Sequence, residues 1–327
     1  MKVLLTGSTG YIGRRLKQEL LNDENIELKL LVRNKKSISS LNENAQVVEG
    51  DTFNKESLKE ALKDVEVAYY LIHSLSNENY KDLDKISAQN FLDVANECGV
   101  KRIIYLGGLG VKNENTSEHL LSRIETGEIL SSNKNVQTIW FRAGVIIGSG
   151  SASFEIIRNL TEKLPIMTTP KWVNTKAQPI AVTDVLSYLH KSLYLDVKEN
   201  LIVDIGSEQL SYKNMMLKTA KVLGLKRILI TLPFMSIKLS SYWLNLFTPV
   251  PYAVAKALVE GLKSEVIIQN DHAKKYFPNI FPISYEDAVA NAIKEIEENQ
   301  VISRWNDKAD DVWEKNSQNN ISKAIFI

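Results

Sequence analysis

The sequence predicts an α/β fold: a doubly wound parallel sheet with a smaller α-rich C-terminal region. Three observations predict it. Short apolar runs alternate with helical patterns, a glycine-rich turn joins the first run to the first helix, and the alternation loosens after about residue 141. The runs Val3–Leu5, Leu28–Val32, Gln46–Val48, Val67–Ile72, Arg102–Leu106 and Thr138–Phe141 are almost continuously apolar. Strands buried on both faces of a parallel sheet read this way. Between them, Tyr11–Leu21, Lys55–Leu62, Tyr80–Glu97 and Ser117–Leu130 read as crossover helices.

Beyond Phe141 the sequence predicts a helix over Ser153–Lys163 and a long irregular stretch through Pro165, Pro170 and Pro179. A short strand over Gln178–Val182 follows, then a helix over Asp184–Leu195 capped by Thr183. Leu201–Ile205 and Arg227–Thr231 read as strands, and Ser211–Leu223 as a helix ending at Gly224. From Phe234 onward the chain reads as helical, interrupted at Pro249–Pro251 and Pro278–Pro282. The expected organisation is a nucleotide-binding domain over residues 1–150, a substrate or partner region over 151–305 interleaved with the last strands of the sheet, and a polar tail over 306–327.

Composition narrows the function classes. A net charge of +1 over 327 residues gives no basic field for nucleic acid or an anionic membrane. The single cysteine, Cys98, cannot form an intrachain disulfide and reads as a small buried apolar residue, which suits a cytoplasmic location. The four histidines are scattered without metal-ligand spacing, so no metal site is expected. No signal peptide is evident. The uncharged stretch Leu239–Ala255 holds two prolines and falls short of the ~20 apolar residues of a membrane span. The aromatic-rich segment Phe234–Leu262 reads as packing against the rest of the chain, with a weak membrane or protein contact as the alternative.

The chemistry begins at Thr6-Gly7-Ser8-Thr9-Gly10-Tyr11-Ile12-Gly13, a G-x-x-G-x-x-G turn that leaves a strand and opens a helix. Gly7 permits the tight turn, Gly10 lets a pyrophosphate approach the backbone, and Gly13 lets the helix pack closely. Helix-opening amides then face the phosphates. This is the Rossmann pattern, and Gly7, Thr9, Gly10, Tyr11, Ile12 and Gly13 are the expected dinucleotide cradle. The second strand ends at Arg33, where NAD-preferring domains place a carboxylate, so the pattern favours NADP over NAD. A solvated charge cluster with Lys35 and Lys36 is the alternative. Asp51 either accepts from the adenine amino group or caps the helix at Lys55.

The turn Gly7–Gly13, the segment Lys101–Leu109 and the segment Pro179–Val185 resemble the atypical short-chain dehydrogenase/reductases with an extended-type glycine motif. Ser117–Gly127 and Arg142–Glu155 are similar to a subgroup of NAD(P)-binding, epimerase- or oxidoreductase-like proteins that often carry an extra C-terminal domain. The resemblance covers about residues 1–300, and the chain stops where that extra domain would begin. It implies a nucleotide site and a cleft, without a fixed reaction.

The resemblance also exposes a departure. The family's Tyr-x-x-x-Lys pair belongs on the helix after the fifth strand, but that helix carries His119 and Arg123 at the same i, i+4 spacing. The region of the family's serine reads Gly107-Gly108-Leu109, without a hydroxyl. His119 is the expected proton-transfer group and Arg123 the expected ribose or substrate anchor; the bland alternative is that both pin local structure. His73 and Ser74 close the fourth strand and either meet the ligand or cap a helix. Asp84 stands where better-known members carry a catalytic Asn, or is a solvated acid near a helix start. Gly107 and Arg142-Ala143-Gly144 are expected to line the nicotinamide side.

The expectation is an NADP(H)-dependent oxidoreductase-like protein with a small-molecule substrate. The alternative is a non-catalytic NADP(H)-binding redox sensor or an assembly or accessory subunit. A nucleotide-sugar epimerase is disfavoured by the missing tyrosine.

Overall fold

The computed structural model describes residues 1–38, 45–73, 80–114, 116–232, 261 and 264–305. The elements run β1 (Lys2–Thr6), α1 (Tyr11–Leu21), β2 (Glu27–Val32), β3 (Ala45–Glu49), α2 (Lys55–Leu62), β4 (Val67–Tyr70), α3 (Tyr80–Glu97), β5 (Arg102–Gly108), α4 (Glu118–Leu130), β6 (Gln137–Ala143) and β7 (Ile146–Ile147). They continue with α5 (Ala152–Lys163), β8 (Ile166–Pro170), β9 (Lys176–Ala177), β10 (Ile180–Ala181), α6 (Val182–Lys191), β11 (Leu201–Ile205), β12 (Leu210–Ser211), α7 (Tyr212–Val222), β13 (Ile228–Leu232), α8 (His272–Tyr276) and α9 (Tyr285–Glu297).

Seven strands form one parallel sheet in the order β11-β6-β5-β4-β1-β2-β3. The order reverses between β1 and β4, so the carboxyl ends of these two strands flank the switch-point crevice where doubly wound sheets bind ligands. Alternation along each strand feeds two cores. On β1, Val3 and Leu5 join Leu16 and Leu20 of α1 and Val185 and Leu189 of α6. Leu4 faces the other way, with Leu58 of α2, Phe91 of α3 and Leu120 of α4. Burying one such leucine stabilises the fold by about 1.5–3 kcal/mol, which fixes the register of each strand. A third core joins Phe154 of α5, Met215 of α7 and Val289 of α9.

The C-terminal region corrects several expectations. The stretch through Pro165 and Pro170 is not wholly irregular: β8 lies there and pairs in parallel with β13. Pro165 precedes that strand and Pro170 ends it, positions where a missing amide costs no ladder bond. β13 accordingly pairs outside the main sheet. α6 starts at Val182 without a side-chain cap rather than after Thr183, because Val182 is buried and pulls the helix start inward. It ends at Lys191, short of Leu195. Cys98 is only half-buried at the end of α3. Residues 233–260 and 306–327, hence most of Phe234–Leu262 and all of the polar tail, lie outside the described residues.

A buried clasp ties the C-terminal region to the first helix. Arg15 of α1 is 3% exposed. Its guanidinium donates to the Ser149 carbonyl at 2.9 Å, to Ser149 Oγ at 2.8 Å and to Ser303 Oγ at 3.2 Å, and pairs with Glu295 of α9 at 3.3 Å. Ser303 Oγ in turn donates to the Tyr11 carbonyl at 2.9 Å. The first turn of α1 is therefore anchored from outside the sheet. Among the described residues, no helix is long and apolar enough to cross a membrane.

Candidate functional site

At the end of β1, Gly7 adopts φ +68°, a left-handed conformation suited to glycine. Its amide turn is closed by the Gly10 N–H donating to the Gly7 carbonyl at 2.9 Å. A Cβ on Gly7 would strike the Leu71 carbonyl, and one on Gly13 would strike the Gly7 carbonyl. Those two glycines thus serve close backbone packing. A Cβ on Gly10 would meet only the Gly7 carbonyl, at 3.3 Å, and Gly10 is exposed. No side chain caps α1, so its opening amides around Tyr11, Ile12 and Gly13 are left for a ligand. Ser8 Oγ is buried in this turn without a hydrogen-bond partner among the described residues. The cradle therefore fits a diphosphate: open backbone donors, a glycine where approach is needed and an unsatisfied hydroxyl.

The tyrosine side chain of Tyr11 points away from the crevice, against Gly148, so its contribution to the cradle is its backbone. The Thr9 carbonyl accepts from Arg14 Nε at 2.7 Å, which stiffens the turn. Arg33 follows β2 with its side chain exposed, and no hydrogen bond or ion pair engages it among the described residues. Beside it, Glu49 is tied to the Lys35 amide at 2.9 Å. Asp51 Oδ1 accepts from the Phe53 amide at 3.0 Å, while Asn54 caps α2 through the Ser57 amide. Asp51 is thus a turn residue rather than the helix cap.

The second half of the site lies two residues beyond Leu71, the residue against which Gly7 packs. His73 Nδ1 lies 2.9 Å from Asp84 Oδ2, and His73 Nε2 lies 3.1 Å from His119 Nδ1. Ser122 Oγ donates to the same Asp84 oxygen at 2.9 Å. Histidines 46 residues apart in sequence are therefore hydrogen-bonded neighbours. Asp84 is 4% exposed, which removes the solvated-acid alternative. The chain of contacts assigns the protons: an acceptor carboxylate sets N–H on His73 Nδ1, leaving His73 Nε2 to accept from His119 Nδ1–H. His119 Nε2 then carries a lone pair.

Burial pushes His73 down to about 4, helped by the charge of Arg123 and opposed by the Asp84 hydrogen bond. Burial, Arg123 and His73 together push His119 down to about 2. Both rings are neutral near pH 7. Arg123 shares the α4 face with His119 and Ser122, and its Nε is buried without a partner. Its carbonyl accepts from Tyr105 OH at 2.9 Å, fixing this turn of α4 on β5. Asp84 and His119 bond opposite nitrogens of His73, so the three form a line rather than a converging ligand set. Among the described residues, no group of three or more His, Cys, Asp or Glu could hold a metal ion.

The remaining candidates are engaged elsewhere. A Cβ on Gly107 would lie 2.6 Å from Trp140 Nε1, and the same indole fills the space over Gly127 of α4. Gly107 thus makes room for Trp140. Arg142 forms a two-pronged ion pair with Asp204, Nε–Oδ1 2.6 Å and Nη2–Oδ2 2.9 Å, and Asp204 is fully buried. The Gln269 amide also donates to Asp204, at 2.7 Å. The Ala143 carbonyl accepts from Leu109 at 2.8 Å, and Gly144 lies under Gln178 and Val266. This strand end is therefore covered by the later chain and its arginine is committed. Ser74 lies outside the described residues. Sequence reading missed Ser8 and Ser122; the i, i+3, i+4 spacing of His119, Ser122 and Arg123 was the available signal for the latter.

A doubly wound sheet with this glycine cradle at its switch point defines a dinucleotide-binding Rossmann protein. Residues 7–139 match the family model described as NAD(P)H-binding. The chain's overall fold is that of epimerases and reductases. It is similar to triphenylmethane reductase of Citrobacter sp., with TM-score 0.73 and 20% identity over 90% of this chain and 100% of that one. It is also similar to a nucleoside-diphosphate-sugar epimerase from Staphylococcus aureus, with TM-score 0.71 and 15% identity over 89% and 100%. At such identities the likeness is one of fold. In sequence, 122 residues are 31% identical to auxiliary protein GraX of Staphylococcus aureus, covering 35% of this chain and 38% of that protein. The match spans well under half the length of that relative.

Proposed function

We propose that the protein is an NADP(H)-dependent oxidoreductase in which His119 exchanges a proton with a substrate hydroxyl or carbonyl oxygen. One observation carries the reading: Asp84, His73 and His119 are joined in a hydrogen-bonded line, and His73 stands just past β4, one of the two strands that flank the switch point. The Gly10 cradle and Ser8 would hold the diphosphate, and Arg33 the 2′-phosphate of NADP. The bound nucleotide would supply hydride donation or acceptance. His119 Nε2 would take the hydroxyl proton as the alcohol is oxidised and return it in the reverse direction. His73 and Asp84 orient the ring and share the positive charge that forms on it, and Ser122 fixes Asp84. This line does the work that a tyrosine and lysine do in related enzymes.

NADPH binding followed by fluorescence, then NADP⁺ reduction with an alcohol panel and NADPH oxidation with aldehydes, ketones and quinones, tests the reading. Turnover that disappears in His119→Ala while NADPH still binds supports it. Tight NADPH binding without turnover on any member of the panel would sink it. That outcome favours a second reading, a non-catalytic NADP(H)-responsive accessory protein. The partial likeness to a protein described as auxiliary and the absence of a hydroxyl at Gly107–Leu109 support this alternative.

A further inference from the structure

We infer that Arg123 holds an oxyanion of the substrate, a carboxylate or phosphate carried next to the reacting carbon. The inference rests on the reading of His119 as the proton-exchanging group and deepens it by naming the substrate class.

The argument starts from charge. A guanidinium stays protonated at any physiological pH, so removing it from water demands a compensating anion or a full set of acceptors. Other arginines in the fold have their acceptors: Arg15 has Glu295 and two serines, Arg102 donates to four backbone carbonyls, Arg142 has Asp204, and Arg158 has Glu155 and Glu162. Arg123 is half-buried, its Nε is unsatisfied, and no carboxylate pairs with it among the described residues.

The acids around it are taken. Glu118, Glu125 and Glu128 of α4 pair outward with Lys81, Lys85 and Lys112. Asp84 is hydrogen-bonded to His73 and accepts from Ser122. The Arg123 charge acts on two neutral imidazoles and on the Tyr105 phenol. Among the described residues, no carboxylate is paired with the Arg123 guanidinium itself. A ribose hydroxyl is neutral and would leave that charge standing, whereas an oxyanion cancels it and can take a two-pronged bond.

Such a ligand has a consequence for the neighbouring base. Arg123 depresses the basicity of both histidines. An oxyanion seated on it offsets this, so His119 becomes a better proton acceptor only once the substrate is in place.

The test is calorimetric titration of the NADPH-loaded protein with pyruvate, phenylpyruvate, the methyl ester of each, and inorganic phosphate. The expected result is that at least one anion binds tenfold or more tightly than a neutral ester, that Arg123→Gln abolishes the difference, and that Arg123→Lys restores part of it. Phosphate binding without acid binding assigns a phosphate-bearing substrate, the converse a carboxylate. No anion bound, esters bound as well as acids, or full anion binding by a folded Arg123→Gln variant each overturns the inference. NADPH titration of the same variants separates the two readings. A protein that takes NADPH but no anion loses the Arg123 assignment alone, and one that takes the anion through Arg123 but no NADPH loses the nucleotide reading alone. A tenfold fall in NADPH affinity in Arg123→Gln would put the guanidinium on the cofactor and overturn the inference.

Discussion

The imidazoles of His73 and His119 form a tilted, hydrogen-bonded pair, Nε2 to Nδ1 at 3.1 Å, with ring centroids 4.8 Å apart. One ring is held by a buried carboxylate and the other ends in an acceptor nitrogen, so the pair has a direction. Asp84→Asn tests that direction. An amide can present its NH₂ group to His73 Nδ1 and reverse the tautomers, leaving a donor at His119 Nε2. Turnover is expected to fall about 10²–10⁴-fold, the range of general acid–base catalysis, with NADPH affinity unchanged. Steady-state rates and a fluorescence titration on the same preparation check it.

The same pair sets a pH dependence of stability. Both rings are protonated at lower pH in the folded chain than at the ordinary value of 6.5, down to about 4 for His73 and about 2 for His119. As pH falls, the unfolded chain gains protons first. Stability is therefore intact above pH 6.5 and declines as pH drops toward about 4, where His73 alone accounts for a loss of about 3 kcal/mol. Urea unfolding at pH 7.5 and pH 4.5 should show a smaller pH difference in a His73→Gln/His119→Gln double variant than in the native chain.

Two glycines of one turn are expected to respond differently. In Gly13→Ala the new methyl meets the Gly7 carbonyl, so α1 must shift, at a cost of about 1–3 kcal/mol. In Gly10→Ala the methyl points into open space apart from a 3.3 Å contact. Folding should survive there with a change under about 1 kcal/mol, while NADPH affinity falls at least tenfold. Thermal melts and NADPH titrations of both variants separate packing from binding.

Arg33→Asp addresses cofactor choice. Losing a charge-assisted contact to a 2′-phosphate costs about 1.5–3 kcal/mol, or roughly ten- to 150-fold in NADPH affinity. NADH affinity should hold or rise, because a carboxylate can accept from the ribose hydroxyl. Parallel titrations with NADPH and NADH read this directly, and an unchanged ratio would defeat the NADP assignment.

Asp204→Ala leaves Arg142 unpaired in a largely buried position and frees the Gln269 amide. Breaking a buried pair in this way costs about 3–5 kcal/mol. Equilibrium unfolding should show that loss, and NADPH binding at low temperature should survive it if Arg142 is structural.

The sequence by itself determined the order of strands and helices through β6, because parallel-sheet strands and amphipathic helices each carry their own period. It also determined the glycine turn, since only glycine tolerates the Gly7 backbone and the Gly13 packing. It pointed to Arg123 and His119 through their spacing on one helix. What tertiary structure decided is which separated residues meet. His73, Asp84 and His119 lie on three elements, and no local pattern records that a loop after β4, a helix start and α4 converge at the carboxyl end of the sheet. Nor does local sequence record that Asp204 takes Arg142 out of the crevice or that Ser303 and Glu295 clasp α1. Those pairings depend on long-range burial, which removes water from a charge and makes a distant partner the cheapest way to satisfy it.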